Sequence, residues 1–490
     1  MAQIRKSISF LLNDRTVDLD TVAASDTVLD FLRLEQRLCG SKEGCAEGDC
    51  GACTVLVGRL ADGELKYETV NSCIRFVGSL DACHVVTIEH LRGTDGGLHP
   101  VQQAMVDMHG SQCGFCTPGI VMSLYALWME NANPSNADIE TALQGNLCRC
   151  TGYEAIIRAA VAAASAGGQS QDVLVSEREK VVAILQGLAD GLRVEMGKGD
   201  DQFFVPASVD DLAEIRLENP TSVIVAGATD VGLWVNKHMR PIAPAVFISH
   251  LDELHRIEET ETGLTIGACV TYTEFQGAVA QHFPQIAGYW NRIGGEQVRN
   301  MGTVGGNVAN GSPIGDTPPV LIALGASVTL RNGTQQRTVP VENFFIDYGE
   351  QDREVGDFVE ALHIPFCGEG WSFAAYKVSK RRDEDISSVA AAFRIRVADG
   401  KVADAVIAYG GMAATPKRAK AVENLLTGKP WTAQTIADAQ AGFADDFSPI
   451  GDWRASAEYR ALVAHKLLTR FHLETTQGHE NTMLKREAVA

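Results

Sequence analysis

The sequence predicts a multidomain α+β protein, and three observations predict it. The apolar pattern changes along the chain from strand-like alternation to helical spacing and then to a mixture of both. A Gly-, Ser- and Gln-rich break interrupts it after residue 164, and 490 residues exceed what one core usually organises.

The elements follow in order. The runs "SISFLLN", "CTVLVGRL", "YETVNSCI" and "HVVTIEHL" are β-branched or aromatic and are parted by Gly and Asp, so residues 1–85 read as a small β-rich module. From "HPVQQAMVDM" through "TPGIVMSLYALWMEN", "SNADIETALQGN" and "YEAIIRAAVAAA" apolar residues recur at helical spacing, with Ser135 and Thr151 placed as helix N-caps. Residues 86–164 are therefore a helical module. "SAGGQSQDVLVSEREK" opens an expected linker, 165–198. Residues 199–412 alternate β-rich and helical runs around Gly-rich turns, which predicts an α+β domain. A smaller C-terminal domain, 413–475, carries helices at "RAKAVENLLTG" and "SAEYRALVAHKLLTRF", and 476–490 is expected to be a flexible tail.

Composition narrows the function. A 45% hydrophobic and 21% charged chain is globular, and no apolar run approaches the roughly 18 residues of a membrane span. The N-terminus has no signal-peptide pattern and reads as a first strand, so a cytoplasmic protein is expected. A net charge of −20 argues against nucleic acid and anionic membrane, because phosphate binding is driven by Lys and Arg. The partner is then a protein or a small molecule.

Ten of the twelve cysteines precede residue 151, which assigns them to one region rather than to a disulfide framework. Cys45, Cys50 and Cys53 follow the C-x4-C-x2-C pattern, and Cys73 comes after nineteen intervening residues. That is the plant-type spacing for a 2Fe-2S cluster, in which three thiolates on one loop wrap the cluster and a distant fourth closes it. Gly44, Gly48 and Gly51 give the loop backbone that can bend tightly and aim N–H groups at sulfur. Buried or zinc-binding cysteines are the alternative. A second set, Cys113-x2-Cys116 and Cys148-x-Cys150, also permits structural zinc, but C-x-C is tighter than usual zinc spacing and favours a second 2Fe-2S cluster. Cys39, Cys83, Cys269 and Cys367 lack such spacing and read as small buried hydrophobes.

"EGCAEGDCGACTV", "QCGFCTPG" and "GNLCRCTGY" resemble the iron–sulfur half of the molybdenum hydroxylases, the xanthine dehydrogenase and aldehyde oxidase family. The resemblance implies a β-grasp, plant-type ferredoxin domain at 1–85 and a helical-bundle 2Fe-2S domain at 86–164. It makes all eight cysteines cluster ligands. It also sets Gln112 and Cys150 beside a molybdopterin held by a large subunit.

The chain shows no G-x-G-x-x-G at a strand-to-helix turn, which argues against a Rossmann site. It offers "AGATDVGLWVNK" and "GTVGGNVANGSPIGD", Gly-rich turns whose bare amides could cradle a pyrophosphate, ordinary tight turns being the alternative. With "YKVSKRRDEDIS" and "GGMAATPKRA" they are similar to the FAD domain of the same family, of the vanillyl-alcohol-oxidase type. The resemblance implies a pyrophosphate loop at 226–237, including Ala226, Gly227, Ala228, Thr229, Asp230 and Val231. It adds FAD contacts at Thr303, Gly305, Gly306, Asn307 and Asp316, and Lys377 near the ring. Ile293 stands where animal relatives place an aromatic residue over the flavin, which makes an aliphatic contact the substitute. The charged run Ser379–Ser387 reads by itself as a solvated loop, and the family sets it near the flavin.

No histidine pair has metal-ligand spacing and no nucleophile elbow occurs, so no catalytic residue is assigned beyond the flavin-proximal candidate Lys377. The resemblance implies the small, electron-transfer subunit of a split, bacterial-type xanthine dehydrogenase of this family. Electrons from purine hydroxylation at a partner's molybdenum would pass through two 2Fe-2S clusters to FAD and on to NAD+. A separate molybdopterin-binding large subunit and a heterotetramer of two small and two large chains are expected. The alternatives are the same module in an aldehyde or N-heterocycle hydroxylase, a free-standing electron carrier, or a zinc-stabilised interaction protein.

Overall fold

A computed structural model describes residues 4–92, 96–478 and 482 of the chain. Its first module is a five-stranded sheet in the order Arg15–Leu19, Ile8–Leu12, His84–Val86, Thr54–Ala61, Glu64–Asn71. Ile8–Leu12 and His84–Val86 run parallel, and the other pairs are antiparallel. Phe10, Phe31, Val55, Val70 and Phe76 fill one core. Most of Thr54–Ala61 is buried rather than alternating, because its other face is covered by helix Thr117–Glu130.

The second module packs helices Pro100–Asp107, Thr117–Glu130, Asn136–Ala142 and Glu154–Ala166 around Met105, Leu124, Tyr125, Trp128, Ile139 and Ile156. Ser135 caps its helix as predicted, its side chain accepting from Asp138 N. Thr151 does not cap. The last helix starts after Tyr153, which is left-handed at φ 71°, and the Thr151 hydroxyl accepts from Tyr153 N and lies 3.2 Å from Cys148 Sγ.

The stretch expected as a linker is folded. Helix Val173–Ser176 buries Leu174 in the core of the helical module, and helix Arg178–Leu188 lies on the first module, where Val181 and Leu185 meet Leu11 and Leu65. Asp172 anchors the segment, accepting from Tyr125 Oη at 2.6 Å and from Leu174 N at 2.8 Å. Strand Arg193–Met196 then pairs in parallel with Ile4–Arg5, so the N-terminus joins the third module's sheet, completed by Phe203–Val205, Ala245–Phe247 and Val223–Val225.

A second five-stranded sheet, running Ile257–Glu259, Gly263–Gly267, Phe358–Pro365, Ser327–Asn332, Gln335–Pro340, completes the third module. Phe275, Trp290, Val304 and Leu321 bury its helices against it. Strands Trp371–Val378, Val389–Ala398 and Lys401–Gly410 pair with Lys417–Arg418 in a separate sheet. That sheet shares a core with the C-terminal helices through Phe393, Tyr409, Phe443 and Phe471, so a boundary at 412 cuts across it. The final helix, Ala457–Gln477, includes the first two residues of the expected tail; residues 479–481 and 483–490 lie outside the described ones. No described helix is long and apolar enough to cross a membrane.

Candidate functional site

The loop from Gly44 to Cys53 turns through left-handed backbone at Ala46 (φ 54°), Gly48 (φ 80°) and Gly51 (φ 68°), which coils it around its own cysteines. A Cβ on Gly44 would lie 2.8 Å from Cys50 Sγ. Cys50 N donates to Cys45 Sγ at 3.4 Å, and Cys53 and Cys73 are buried on the core side. The four thiols are close enough to set each other's ionisation. Thiol donation from Cys50 drives Cys45 strongly down, and donation from Cys73 lowers Cys53. Their own hydrogen bonds to Cys45 push Cys50 and Cys73 strongly up.

In the helical module Cys150 Sγ lies 3.6 Å from Cys113 Sγ, and the Cys116 thiol, pushed up to about 12 by burial and by Cys148, faces Cys148. Cys113 and Cys150 are exposed, Cys148 is buried, and Gln112 and Phe115 stand exposed beside them. Leu147 N donates to Cys50 O at 3.0 Å, so the backbone just before Cys148 touches the first loop directly.

Each set can hold a 2Fe-2S cluster. Such a cluster takes four thiolates divided between two irons, which is what each set offers. Cys39 is exposed, Cys83 and Cys269 are fully buried, and Cys367 is half-buried.

Of the expected pyrophosphate loop 226–237, residues 226–230 form a bare turn after strand Val223–Val225, with Ala226, Gly227 and Thr229 half-buried and Asp230 exposed, and Val231–Asn236 is a helix rather than loop. Gly227 lies so close to Met301 that a Cβ would stand 1.6 Å from Met301 O, and Ala228 is left-handed at φ 60°. Helix Val231–Asn236 lies against the first cysteine loop: Asn236 Nδ2 donates to Cys73 O at 2.7 Å, and Lys237 Nζ to Cys45 O.

Thr303 caps helix Val304–Asn310, its hydroxyl accepting from Gly306 N at 2.9 Å, and Gly305 abuts Ala268 too closely for any side chain. Asn307 Oδ1 accepts from Thr317 Oγ1. The Asp316 carboxylate is engaged by Lys377 Nζ at 2.5 Å and Ser387 Oγ at 2.6 Å, so Asp316 holds Lys377, whose side chain is buried. Ile293 is buried, and Arg292 pins the following loop through Lys377 O and Arg382 O.

That loop, 379–387, is no free solvated loop. Arg381 reaches Asp49 of the first cysteine loop at 3.3 Å, and Gln144 Nε2 donates to Asp383 at 3.3 Å. Glu384 is 7% exposed with Oε1 unpartnered, and burial pushes its carboxyl up to about 8. Nothing local in the sequence singles out Asp49, Glu384 or Gln297, and Gln297 is buried where the modules meet.

Four family models cover nearly the whole chain. They are a 2Fe-2S iron-sulfur cluster binding domain at 10–77, a [2Fe-2S] binding domain at 87–161, an FAD binding domain in molybdopterin dehydrogenase at 198–367, and a CO dehydrogenase flavoprotein C-terminal domain at 374–475. The class is an iron–sulfur flavoprotein. Xanthine dehydrogenase of Drosophila subobscura is 32% identical over 89% of this chain and 36% of its own length. Xanthine dehydrogenase/oxidase of Gallus gallus is 30% identical over 96% of this chain and 40% of its own. A carbon monoxide dehydrogenase from Hydrogenophaga pseudoflava, solved lacking the Mo-pyranopterin moiety of its molybdenum cofactor, superposes with a TM-score of 0.52 at 26% identity. The superposition covers 55% of this chain and 94% of that one. The chain belongs to the molybdenum hydroxylase family. It spans about two fifths of the length of these curated relatives.

Proposed function

We propose that the chain is the electron-transfer subunit of a xanthine dehydrogenase, with NAD+ as acceptor and molybdopterin in a separate large subunit, assembled as two small and two large chains in the cytoplasm. Cys45, Cys50, Cys53 and Cys73 hold one 2Fe-2S cluster, and Cys113, Cys116, Cys148 and Cys150 the other, with Gln112 facing the molybdopterin. FAD lies on 226–231, Ile293, Thr303, Gly305, Gly306, Asn307, Asp316 and Lys377. The domains follow 1–85 and 86–164, then a flavin domain from 199 through strand Phe358–Pro365 and a C-terminal domain from Trp371 to 475, with the folded segment 165–198 joining the second and third.

One observation carries the reading. The two cysteine sets meet through the Leu147–Cys50 hydrogen bond, and the inner set is tied to the flavin-type turn through Asn236, while the outer set opens to the surface. Bound clusters and flavin supply one-electron carriage and a junction to hydride chemistry. The chain's own residues do the rest. The Gly44–Gly51 loop leaves backbone N–H groups free to face sulfur, Thr303 fixes the turn at Gly305 and Gly306, and Asp316 keeps the Lys377 ammonium in place. The relatives' printed names support xanthine as the substrate.

The test is an anaerobic visible spectrum of the native complex. Xanthine should bleach the flavin and cluster bands, and NAD+ should restore them as NADH appears. Bleaching by NADH but not by xanthine would keep the module and remove the purine assignment.

A further inference from the structure

Gln297 lies on helix Glu296–Met301, four residues after the flavin-facing Ile293, and is 0% exposed. Its Nε2, with two hydrogens shared among three acceptors, lies 3.2 Å from Thr54 Oγ1, 3.0 Å from Ser123 Oγ and 3.0 Å from Asn146 Oδ1. Thr54 directly follows Cys53, Asn146 precedes Cys148 by two positions, and Ser123 belongs to the long helix of the second module. One amide thus joins three modules at the point where both cysteine segments and the flavin side converge.

The partners are bound to each other as well. Thr54 Oγ1 donates to Gly51 O at 2.7 Å, Ser123 Oγ to Asn146 Oδ1 at 2.7 Å, and Asn146 Nδ2 to Gly51 O at 3.2 Å. The backbones around this knot are in contact. A Cβ on Gly145 would stand 1.9 Å from Gln297 Oε1, and one on Gly295 would stand 2.7 Å from Gly145 Cα. Gln297 Oε1 has no hydrogen-bond partner. A cluster of Leu and Val would hold three modules together without leaving a buried carbonyl unpaired, but apolar surfaces can slide past one another and a network of directed bonds cannot. A buried network with one unsatisfied atom is explained by what it fixes rather than by what it stabilises.

We propose that Gln297 is a positioning residue that sets the distance and orientation of the flavin-facing turn relative to both cysteine segments. This rests on the electron-transfer reading above, since electron transfer falls steeply with distance.

The test compares Gln297→Leu with the unmodified chain by two measurements. In hydrogen–deuterium exchange on the full chain, amides of 50–54 and 144–148 should both exchange about tenfold faster, with no change in the distant core around Phe393. In the dithionite-reduced native complex at low temperature, the splitting that each paramagnetic cluster imposes on the other's resonance lines should change. Ser123→Ala removes a single leg and should raise exchange about threefold at the same two segments, which keeps the test valid should Gln297→Leu not fold. Unchanged exchange at both segments in Ser123→Ala, or in a folded Gln297→Leu, overturns the proposal. An unmodified complex with no cluster resonance would instead refute the cluster reading, and the exchange data would still decide the role of Gln297.

Discussion

The two cysteine sets present the same four-thiol chemistry in opposite surroundings. The first is enclosed: Cys53 and Cys73 are buried, Asn236 and Lys237 of the third module grip the loop from one side, and Arg381 closes over it from another. The second is open, with Cys113 and Cys150 exposed and Gln112 and Phe115 standing free beside them. An enclosed set is tuned by residues of its own chain, whereas an open one presents its sulfurs to whatever docks there. The contrast predicts that substitutions around the first set should disturb the whole molecule and those around the second should stay local.

The largest expected effect comes from the lid over the first set. Glu384 titrates near 4.5 in the unfolded chain and is pushed up to about 8 in the folded one by burial, with Asp49 adding repulsion. A carboxyl with a raised folded value binds its proton more tightly when folded. Its contribution to stability is therefore full below about pH 4.5 and is lost as pH rises towards 8. Glu384→Gln should remove that loss, making the variant more stable than the parent at pH 8 by a few kcal/mol and nearly equal at pH 4.5. Urea midpoints at the two pH values check it, and equal midpoints at pH 8 would mean that Glu384 is ionised and solvated in the folded chain. Substitution of the exposed Cys113 leaves Glu384 in place and should leave this pH dependence unchanged.

A glycine pair sharpens the contrast at the next level down. At Gly51 a Cβ would stand 2.1 Å from Gly145 O, on backbone of a different module that cannot move independently. Gly51→Ala should cost about 3 kcal/mol, from left-handed strain and the clash together. Gly114, between Cys113 and Cys116, is equally left-handed at φ 82°, yet its nearest neighbour is Ser111 Oγ at 4.0 Å. Gly114→Ala should cost only about 1 kcal/mol, the conformational part alone. Denaturant unfolding of the two variants separates clash from strain, and equal losses would show that the junction at Gly145 gives way.

This difference between the sets also marks what the sequence made legible. The eight cysteines and the glycines around them could be read because a metal-binding loop is a local object, its spacing fixed by how far a few residues can bend. Gln297 could not, since its partners lie 151 to 243 positions away and nothing near it in sequence announces a junction. The segment after residue 164 reads as a linker because its Gly-, Ser- and Gln-rich start runs into the charged stretch Glu177–Lys180, although Leu174, Val181 and Leu185 are buried and suffice to dock it. The strands between 371 and 410 read as part of the preceding domain because a strand's sequence does not say which sheet it joins. Thr151 looked like a cap by type and position, but the chain uses its hydroxyl beside Cys148 instead.

The smallest expected effect tests the contrast on the ligands themselves. Cys53 is 1% exposed and packed in the core with Val55 and Ile74, with Asn71 Oδ1 at 3.7 Å from its sulfur. Cys53→Ser shortens the side chain and leaves a hydroxyl in apolar surroundings, so in metal-free protein it should cost about 1–2 kcal/mol. Cys113→Ser puts the same hydroxyl in solvent and should change metal-free stability by no more than about 0.5 kcal/mol. Urea unfolding under reducing conditions reads both. After reconstitution, paramagnetic resonance should show each variant deficient in one signal, a different one in each case. If Cys113→Ser destabilised the metal-free chain as much as Cys53→Ser, the second set would be structurally integral rather than open. The exposure of Cys113 would then have to be explained by packing of Phe115 and Leu147 rather than by access.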